Sequence, residues 1–391
     1  MKKLLLPISY LLVIVATVLG TLVVTQTPSG LPAGTDKLQE LEYLLTQKFV
    51  DGADSQKLQD AAADAMVEAL GDRWSYYIPA DQYADYVQQK QNAYVGVGII
   101  IQMTEEGYLV NKVTSGGSAE AAGVLAGDMI VAVDDTSVVG LPVNDGKKLV
   151  QGPEGTSVSL TVLREGQELT LAMERRTIRT PVATGTMLEN GIGLVTIANF
   201  NTNCYQETMA AVESLRNQGA VALIFDVRYN GGGYKSELVK VLDDLLPEGP
   251  LFRSEYYTGA TSVDESDEAC IEMPMAVLVN SESYSAAEFF AAALQEYGWA
   301  VVVGQKTQGK GHFQETFLLS DGSAVGLSTG RYRTPNGVDL EGVGITPDEI
   351  VEVDDETAAK IYAGTLAPMD DPQIVAAVNV LLSSKTNRSL P

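Results

Sequence analysis

The segment AVALIFDVRYNGGG, residues 220–233, carries the clearest structural signal in this chain. It begins with a run of aliphatic and aromatic residues, which is typical of a strand covered on both faces of a sheet. The run ends in Asn230 and three glycines, and open α/β sheets form their sites where strands end. The segment predicts an α/β sheet with a candidate site after this strand. An ordinary tight turn is the alternative for the glycines.

Strand and helix patterns alternate around this segment, which predicts an α/β domain over residues 178–391. We expect its further strands to extend one sheet, and the tail from residue 355 to be helical. The strands are GIGLVTIANF (191–200), MPMAVLVN (273–280), WAVVVG (299–304) and FLLSDGSAVGLSTG (317–330), and the clearest helices are YQETMAAVESLRNQG (205–219) and DPQIVAAVNVLL (371–382).

Three further regions precede this domain, so the chain is predicted to be multidomain, of mixed α/β and α+β class. Residues 93–177 contain short β-branched and aliphatic runs between glycine-containing turns, which predicts a small β-rich domain. Residues 37–92 place apolar residues at helical spacing. Residues 25–36, TQTPSGLPAGTD, have the composition of a linker.

The N-terminal residues 1–24 have the pattern of a membrane anchor. Lys2 and Lys3 precede 21 mostly apolar, uncharged residues, about the length that spans a bilayer. The lysines favour the cytoplasmic side, which sends the rest of the chain across the membrane. A cleaved signal peptide is the alternative. The sequence thus predicts a single-pass membrane protein with the rest of the chain outside the cytoplasm, or a secreted form if this segment is removed.

Composition excludes several classes of function. The 391 residues carry a formal charge of −25, which is incompatible with a nucleic-acid-binding surface. His312 is the only histidine, so histidine-based metal clusters are excluded, and we expect neither a metal nor a cofactor. Cys204 and Cys270 are the only cysteines, and a disulfide and two separate thiols both remain open.

Residues 304–310, GQKTQGK, nearly match the phosphate-binding pattern G-x-x-x-x-G-K. Gly311 stands where that pattern requires Ser or Thr for magnesium. The residues that follow alternate like a strand, whereas a phosphate-binding loop opens a helix. We therefore do not expect nucleotide binding.

Ser285 opens an alanine-rich helix in the sequence SAAE, which permits two interpretations. One is a capping box, in which Ser285 and Glu288 satisfy the backbone of the first turn. The other is a nucleophile, because the free N–H of Ala286 and the positive end of the helix dipole could face an oxyanion. A second N–H donor would then come from the glycine turn that follows Asn230.

Lys310 is the better candidate to remove the proton of Ser285, with His312 as the second choice. Gly309 and Gly311 flank the lysine and leave room for close approach. Burial lowers the pKa of a lysine, and serine–lysine dyads are a known form of the nucleophilic scheme. Gln314 would share the face of Lys310 on a strand and could orient its amine. An ordinary solvated lysine is the alternative.

Three segments together resemble the carboxy-terminal processing (tail-specific) peptidases, the S41 serine peptidases with an inserted PDZ domain. They are residues 283–288 (SYSAAE), 307–314 (TQGKGHFQ) and 226–233 (DVRYNGGG). The resemblance covers nearly the whole chain after the apolar segment. It implies a ClpP/crotonase-like catalytic domain and the following roles: Ser285 as nucleophile, Lys310 as general base, Gln314 as its orienting partner, and Gly232 and Ala286 as oxyanion N–H donors.

The match has departures beside the site. Gly231 replaces the usual proline, and Tyr284 and Ala287 replace a small residue and a serine. The choice of Ser285 over Ser281 and Ser283 rests on its separation of 25 positions from Lys310, which fits the family.

Residues 93–177 are similar to a PDZ domain, in which the loop before the second strand binds the C-terminal carboxylate of a peptide. By this resemblance the loop corresponds to Gly96, Val97, Gly98 and Ile99. The sequence therefore predicts a membrane-anchored, extracytoplasmic serine endopeptidase that binds protein substrates by their C-termini. A non-catalytic PDZ scaffold with a degenerate peptidase domain is the alternative, and assembly into a homo-oligomer stays open.

Overall fold

The computed structural model describes residues 36–387, apart from the side chains of Asn144 and residues 384–387. The predicted anchor at residues 1–24 and all but the last residue of the predicted linker lie outside this range. Among the residues described, no helix combines the length and apolar character needed to cross a membrane. The described residues divide into two compact units, of which the smaller consists of residues 36–79 together with 316–327.

The smaller unit contains two helices, α1 (Lys37–Lys48) and α2 (Ser55–Glu68), and the strand β1 (Tyr76–Ile78). Both helices begin after an aspartate, Asp36 or Asp54, whose side chain accepts hydrogen bonds from the first-turn backbone. Strand β1 pairs antiparallel with residues 324–326.

The first half of the larger unit contains a small antiparallel domain. Its elements in chain order are α3 (Ala80–Lys90), β2 (Ala93–Gly96), β3 (Ile99–Thr104), β4 (Gly107–Val113), α4 (Ser118–Ala121), β5 (Met129–Val133), β6 (Thr136–Ser137), α5 (Val143–Val150), β7 (Ser157–Arg164), β8 (Gln167–Glu174) and β9 (Arg176–Arg179).

The sheet of this domain has the order β3-β4-β5-β7-β8, so β3 lies at one edge. Strands β2 and β9 form a separate antiparallel pair through which the chain enters and leaves the domain. The core contains large side chains with no exposed surface, among them Tyr108, Ile130 and Leu160. Alternate residues of β7 are buried, as expected for a strand with one face on the core.

The second half of the chain contains the predicted α/β domain. Its elements are β10 (Ala183–Met187), β11 (Ile192–Ile197), α6 (Cys204–Asn217), β12 (Ala222–Asp226), α7 (Lys235–Leu245), β13 (Gly249–Tyr256), β14 (Thr261–Ser266), β15 (Met275–Val279), α8 (Ala286–Glu296), β16 (Ala300–Gly304), β17 (His312–Leu318), β18 (Ala324–Arg333), β19 (Glu349–Ile350), α9 (Asp355–Tyr362) and α10 (Pro372–Asn387).

The main sheet has the order β10-β11-β12-β15-β16-β19, in which all pairs except β10 with β11 are parallel. Every residue of β12 is buried, as the opening segment predicts. Alternate residues point to opposite faces, so Phe225 packs in the core shared with α6, α7 and α8, and Ile224 packs in the core shared with α10. The mixed α/β multidomain fold predicted from the sequence is confirmed.

One sheet assignment from the sequence is wrong. The segment at residues 317–330 was expected to extend the main sheet, but β18 pairs antiparallel with β13 instead, from Arg253 with Arg333 to Tyr256 with Gly330. The outer edge of β16 is occupied by β19, which leaves no place there for β18. Strand patterns identify faces and say little about which edge a strand joins.

Candidate active site

Ser285 lies at the turn between the buried strand β15 and helix α8. Its backbone has φ 58° and ψ −124°, outside the β-region that an ordinary N-cap residue adopts. A serine with positive φ is strained, and such strain is concentrated at functional sites. A sharp strand-to-helix turn of this kind presents a serine hydroxyl at the end of a sheet.

Glu288 connects the segments of Ser285 and Lys310. Its carboxylate is fully buried. One oxygen, Oε2, accepts from the backbone N–H of Ser285 at 2.9 Å and of Lys310 at 2.8 Å. The other, Oε1, accepts from the N–H of Gly309 at 2.7 Å and the hydroxyl of Thr307 at 2.5 Å. A capping box explains only the bond that Glu288 accepts from Ser285. The other three bonds come from residues 307–310, the segment that contains Lys310.

The glycines beside Lys310 have a different role from the one expected. A Cβ on Gly309 would lie 2.9 Å from the backbone nitrogens of Val343 and Gly344, and its φ is +83°. A Cβ on Gly311 would lie 2.8 Å from the nitrogen of Glu341. The space beside the lysine is therefore filled by the chain at residues 341–344. No helix follows this loop, since β17 begins at His312, which agrees with the exclusion of a phosphate-binding loop.

The Lys310 side chain is half-buried, and its Nζ lies 5.8 Å from the centroid of the Tyr284 ring. Gln314, predicted to orient that amine, donates from Nε2 to the hydroxyl of Ser328 at 3.0 Å and to the carbonyl of His312 at 3.3 Å. The structure thus places Gln314 on the strand after the lysine and holds its amide nitrogen through neighbouring strand residues.

The alternative candidates are engaged elsewhere. The Nδ1 of His312 lies 2.8 Å from a carboxylate oxygen of Glu341, and its Nε2 accepts from Arg331 at 3.2 Å. The hydroxyl of Ser283 is buried, where it donates to the carbonyl of Val227 and accepts from the N–H of Asn280. Both side chains therefore stabilise local structure.

The glycine turn packs directly against Ser285. A Cβ on Gly232 would lie 2.8 Å from the Cβ of Ser285 and 2.9 Å from the nitrogen of Ala286. The two predicted oxyanion donors therefore belong to adjacent segments. However, the N–H of Gly232 donates to Oδ1 of Asn230 at 2.8 Å, and the Nδ2 of Asn230 donates to the carbonyl of Ile197. In this conformation the backbone N–H of Gly232 is already hydrogen-bonded to Asn230.

Arg228 stabilises the end of strand β12 through ion pairs with Asp226 and Asp371. Its guanidinium donates to both carboxylate oxygens of Asp226. It also donates to the side chains of Asp371 and Gln373, and both of these bonds are 2.8 Å long. Burial disfavours the charge, but the two aspartates outweigh it and raise the pKa of Arg228 above its ordinary value. Because Asp371 and Gln373 stand at the start of α10, the last helix is fixed to the strand that leads into the glycine turn.

Tyr229 attaches a second C-terminal helix to the same turn. Its φ is 58°, and its backbone N–H donates to Oδ1 of Asn280 at 2.9 Å. Its hydroxyl donates to the carbonyl of Ala358 in α9, and its ring packs edge-on against Tyr362. These contacts hold a strained residue in place just before the glycines.

The loop predicted to bind a carboxylate lines a cavity of about 340 Å³. The predicted residues Gly96 to Ile99 form one wall with β3, and α5 forms the other. Lys147 of α5 is the charged member of the described lining residues, most of which are aliphatic. Because β3 is an edge strand, a peptide added to it would lie between β3 and α5.

The remaining reactive groups are apart from this site. Cys204 and Cys270 are both free thiols, so the structure contains no disulfide between them. Burial raises the pKa of the Cys204 thiol to about 12, which makes it a poor nucleophile. Within residues 36–387 no group of three or more His, Cys, Asp or Glu side chains could hold a metal ion.

Comparison with known proteins gives two family matches. The model of peptidase family S41 matches residues 191–351, and a PDZ-domain model matches residues 109–164. The S41 match includes Ser285, Lys310 and the glycine turn, and the PDZ match begins within β4.

Curated relatives cover most of the chain. A probable CtpA-like serine protease of Staphylococcus epidermidis (strain ATCC 12228 / FDA PCI 1200) is 32% identical over 346 residues, which span 86% of this chain and 70% of that protein. Its counterpart in Staphylococcus aureus (strain MSSA476) is 30% identical over 385 residues, spanning 96% and 77%. The solved structure of a putative S41 protease from Bacteroides fragilis NCTC 9343 has a TM-score of 0.52 at 15% identity, covers 82% of this chain and 90% of that one, and supports the fold.

Proposed function

The chain belongs to peptidase family S41 and carries a PDZ domain, and from this premise we propose that it is an extracytoplasmic serine endopeptidase that cuts proteins near their C-termini. The proposed nucleophile is Ser285 and the proposed base is Lys310. This assignment is supported by Glu288, because one of its carboxylate oxygens accepts hydrogen bonds from the backbone N–H groups of both Ser285 and Lys310.

In the proposed reaction, the neutral amine of Lys310 takes the proton of Ser285 as its oxygen attacks the peptide carbonyl. The resulting ammonium gives that proton to the leaving amine, and an acyl-enzyme remains. The amine then takes a proton from water as the water oxygen attacks the ester. The ammonium returns that proton to the Ser285 oxygen as the ester C–O bond breaks and the acid is released. A lysine can act in this way only when its environment disfavours the charge, and the half-buried position of Lys310 favours this once substrate excludes water.

The proposed oxyanion donors are the N–H groups of Ala286 and Gly232. Ala286 is the first residue of α8, so its N–H lies at the positive end of that helix. The N–H of Gly232 has to turn away from Asn230, or be shared with it, when the oxyanion forms. We propose that substrate binding brings about this change, because a developing charge attracts an N–H more strongly than an amide oxygen does.

The PDZ domain is proposed to bind the substrate C-terminus. The loop Gly96 to Ile99 would supply backbone N–H groups to the carboxylate, and the aliphatic cavity would take an apolar last side chain. The charge of Lys147 beside the cavity favours an acidic group on the substrate.

Location is proposed from the sequence. Residues 4–24 are uncharged and mostly apolar, and Lys2 and Lys3 precede them, which favours an anchor with the catalytic part outside the cytoplasm. Self-association remains a prediction.

The test measures cleavage of unstructured peptides and labelling of Ser285 by a fluorophosphonate. We expect Ser285→Ala and Lys310→Ala to abolish both signals. Ser281→Ala and Lys306→Ala are matched controls, because both residues are exposed and lie close in sequence to the proposed pair. Near-wild-type activity in either proposed catalytic variant would exclude the dyad.

One observation fits the alternative of a non-catalytic PDZ scaffold. The backbone N–H of Gly232, a proposed oxyanion donor, is hydrogen-bonded to Asn230. A scaffold would bind C-terminal peptides but would leave Ser285 unlabelled by the fluorophosphonate. Labelling of the wild-type chain therefore separates the two functions.

A further inference from the structure

Tyr284, the residue before the proposed nucleophile, lies between the glycine turn and the lysine. Its backbone N–H donates to the carbonyl of Asn230 at 3.1 Å, which fixes where its side chain starts. A Cβ built on Gly231 would lie 2.5 Å from the Tyr284 hydroxyl oxygen and 2.8 Å from Cζ. The tip of the ring therefore occupies the space that a side chain at residue 231 would need.

The same ring faces the amine of Lys310. The Nζ atom lies over the ring, 5.8 Å from its centroid. A lysine side chain has four rotatable bonds and a tyrosine has two, so the ring is the more rigid of the two surfaces. A fixed aromatic face at this distance reduces the positions that the amine can adopt.

We propose that Tyr284 is a positioning residue of the serine–lysine site and that Gly231 is its matched partner. The tyrosine holds the Lys310 amine near Ser285 and packs its tip on the turn that carries Gly232. Gly231 makes this arrangement possible because any larger residue would push the ring away. Residues 231 and 284 are thus coupled through one contact. This inference rests on the proposed dyad.

The test measures how fast a fluorophosphonate modifies Ser285 in the full chain, and separates the maximal rate of modification from the affinity for the reagent. We expect Tyr284→Ala to lower the maximal rate about tenfold, since small displacements of a reacting group have effects of this size or larger, with affinity changed less than about twofold. Tyr284→Phe should recover most of the rate because it keeps the ring. Tyr257→Ala, which removes an exposed tyrosine, is the control.

A double-mutant cycle tests the pair. Gly231 is not among the residues with positive φ, and the three atoms nearest to a Cβ there all belong to the Tyr284 side chain. Gly231→Ala alone should lower the rate about tenfold, whereas Gly231→Ala in the Tyr284→Ala background should lower it less than about twofold further, a coupling of the size that contacting residues show.

The assignment is overturned if Tyr284→Ala is labelled at the wild-type rate, or if the losses of the two single variants multiply in the double variant. If thermal unfolding shows that Tyr284→Ala does not fold, Tyr284→Leu decides, because leucine fills the space without an aromatic face. A loss of about threefold supports the ring, and a wild-type rate contradicts it. Failure of the dyad itself appears differently, as an unlabelled wild-type chain or as full labelling of Lys310→Ala.

Discussion

The Ser285 site and the PDZ groove are stabilised by opposite means. Around Ser285, a fully buried carboxylate satisfies four donors, and two non-glycine residues, Tyr229 and Ser285, have positive φ. The groove is an open cavity of about 340 Å³ beside an edge strand, lined mainly by aliphatic side chains. One region depends on particular hydrogen bonds, whereas the other depends on shape and apolar surface.

This difference teaches how each region should respond to change. A buried carboxylate that loses one donor keeps the full penalty of desolvation, so its network fails as a unit. Apolar contacts add in small increments, so the groove should tolerate substitution with graded loss of affinity. Four substitutions, from the largest expected effect to the smallest, test this contrast.

Glu288→Gln should have the largest effect. The amide group of glutamine cannot accept hydrogen bonds at its nitrogen, so at least one pair of donors loses its acceptor. We expect a loss of about 3 kcal/mol in the free energy of unfolding and labelling of Ser285 at least about a hundredfold slower. Glu282→Gln, at an exposed position, is the control. If the Glu288→Gln protein were stable and rapidly labelled, the Ser285 site would not depend on this hydrogen-bond network, and its contrast with the PDZ groove would be lost.

Arg228→Met should come next. It leaves Asp226 and Asp371 buried without their cation, which costs about 3 kcal/mol when a buried ion pair is broken on one side. The half-exposed pair of Arg333 and Glu255 is the matched comparison, and Arg333→Met should cost at most about 1 kcal/mol. Urea-induced unfolding of both variants measures the difference. Equal losses would show that burial is irrelevant here.

Ile101→Ser should weaken peptide binding. Ile101 lines the PDZ cavity, and loss of its apolar surface should raise KM for a peptide with an apolar C-terminal residue by about tenfold. The rate of Ser285 labelling should stay at the wild-type value. Met103→Ser, on the same strand but outside the cavity, is the control. A fall in kcat without a rise in KM would show that the groove is part of the catalytic network.

Asp128→Asn should have the smallest effect, and its effect should depend on pH. Arg164 donates to both oxygens of Asp128 and holds the pKa of that carboxyl below its ordinary value, although burial acts in the other direction. The ionised form therefore stabilises the PDZ domain above the unfolded pKa, and this contribution is lost as the pH falls through the folded pKa.

We expect Asp128→Asn to lose about 1 kcal/mol at pH 7, and progressively less than that below about pH 4. Hydrogen exchange of the β7 amides, compared with the wild-type chain at each pH, measures the difference. A loss that is equal at pH 7 and at pH 3 would mean that the charge does not contribute.

The sequence predicts the strands better than their contacts. Apolar runs identify β12, and the three motifs predict Ser285 and Lys310 as the reactive pair. The pattern SAAE indicates Glu288 only as a local cap, because its bonds to residues 307–310 arise from tertiary folding. The same limit applies to β18, whose periodicity reveals its faces but leaves its partner strand open.

The contact between Gly231 and Tyr284 shows a further limit. Each residue looks like an isolated departure in the sequence, since 52 intervening positions hide their proximity. The bond of the Gly232 N–H to Asn230 is likewise invisible in a glycine-rich motif, because it depends on the rotamer of a buried amide.

The position of α10 has a consequence for how the protein is made. Its apolar residues cover one face of the main sheet. Asp371 and Gln373, at its start, accept hydrogen bonds from Arg228. A ribosome reaches these residues after every proposed catalytic group has been synthesised. The nascent chain should therefore carry Ser285 and Lys310 in an unfinished domain, and peptidase activity should begin only after the last helix has docked.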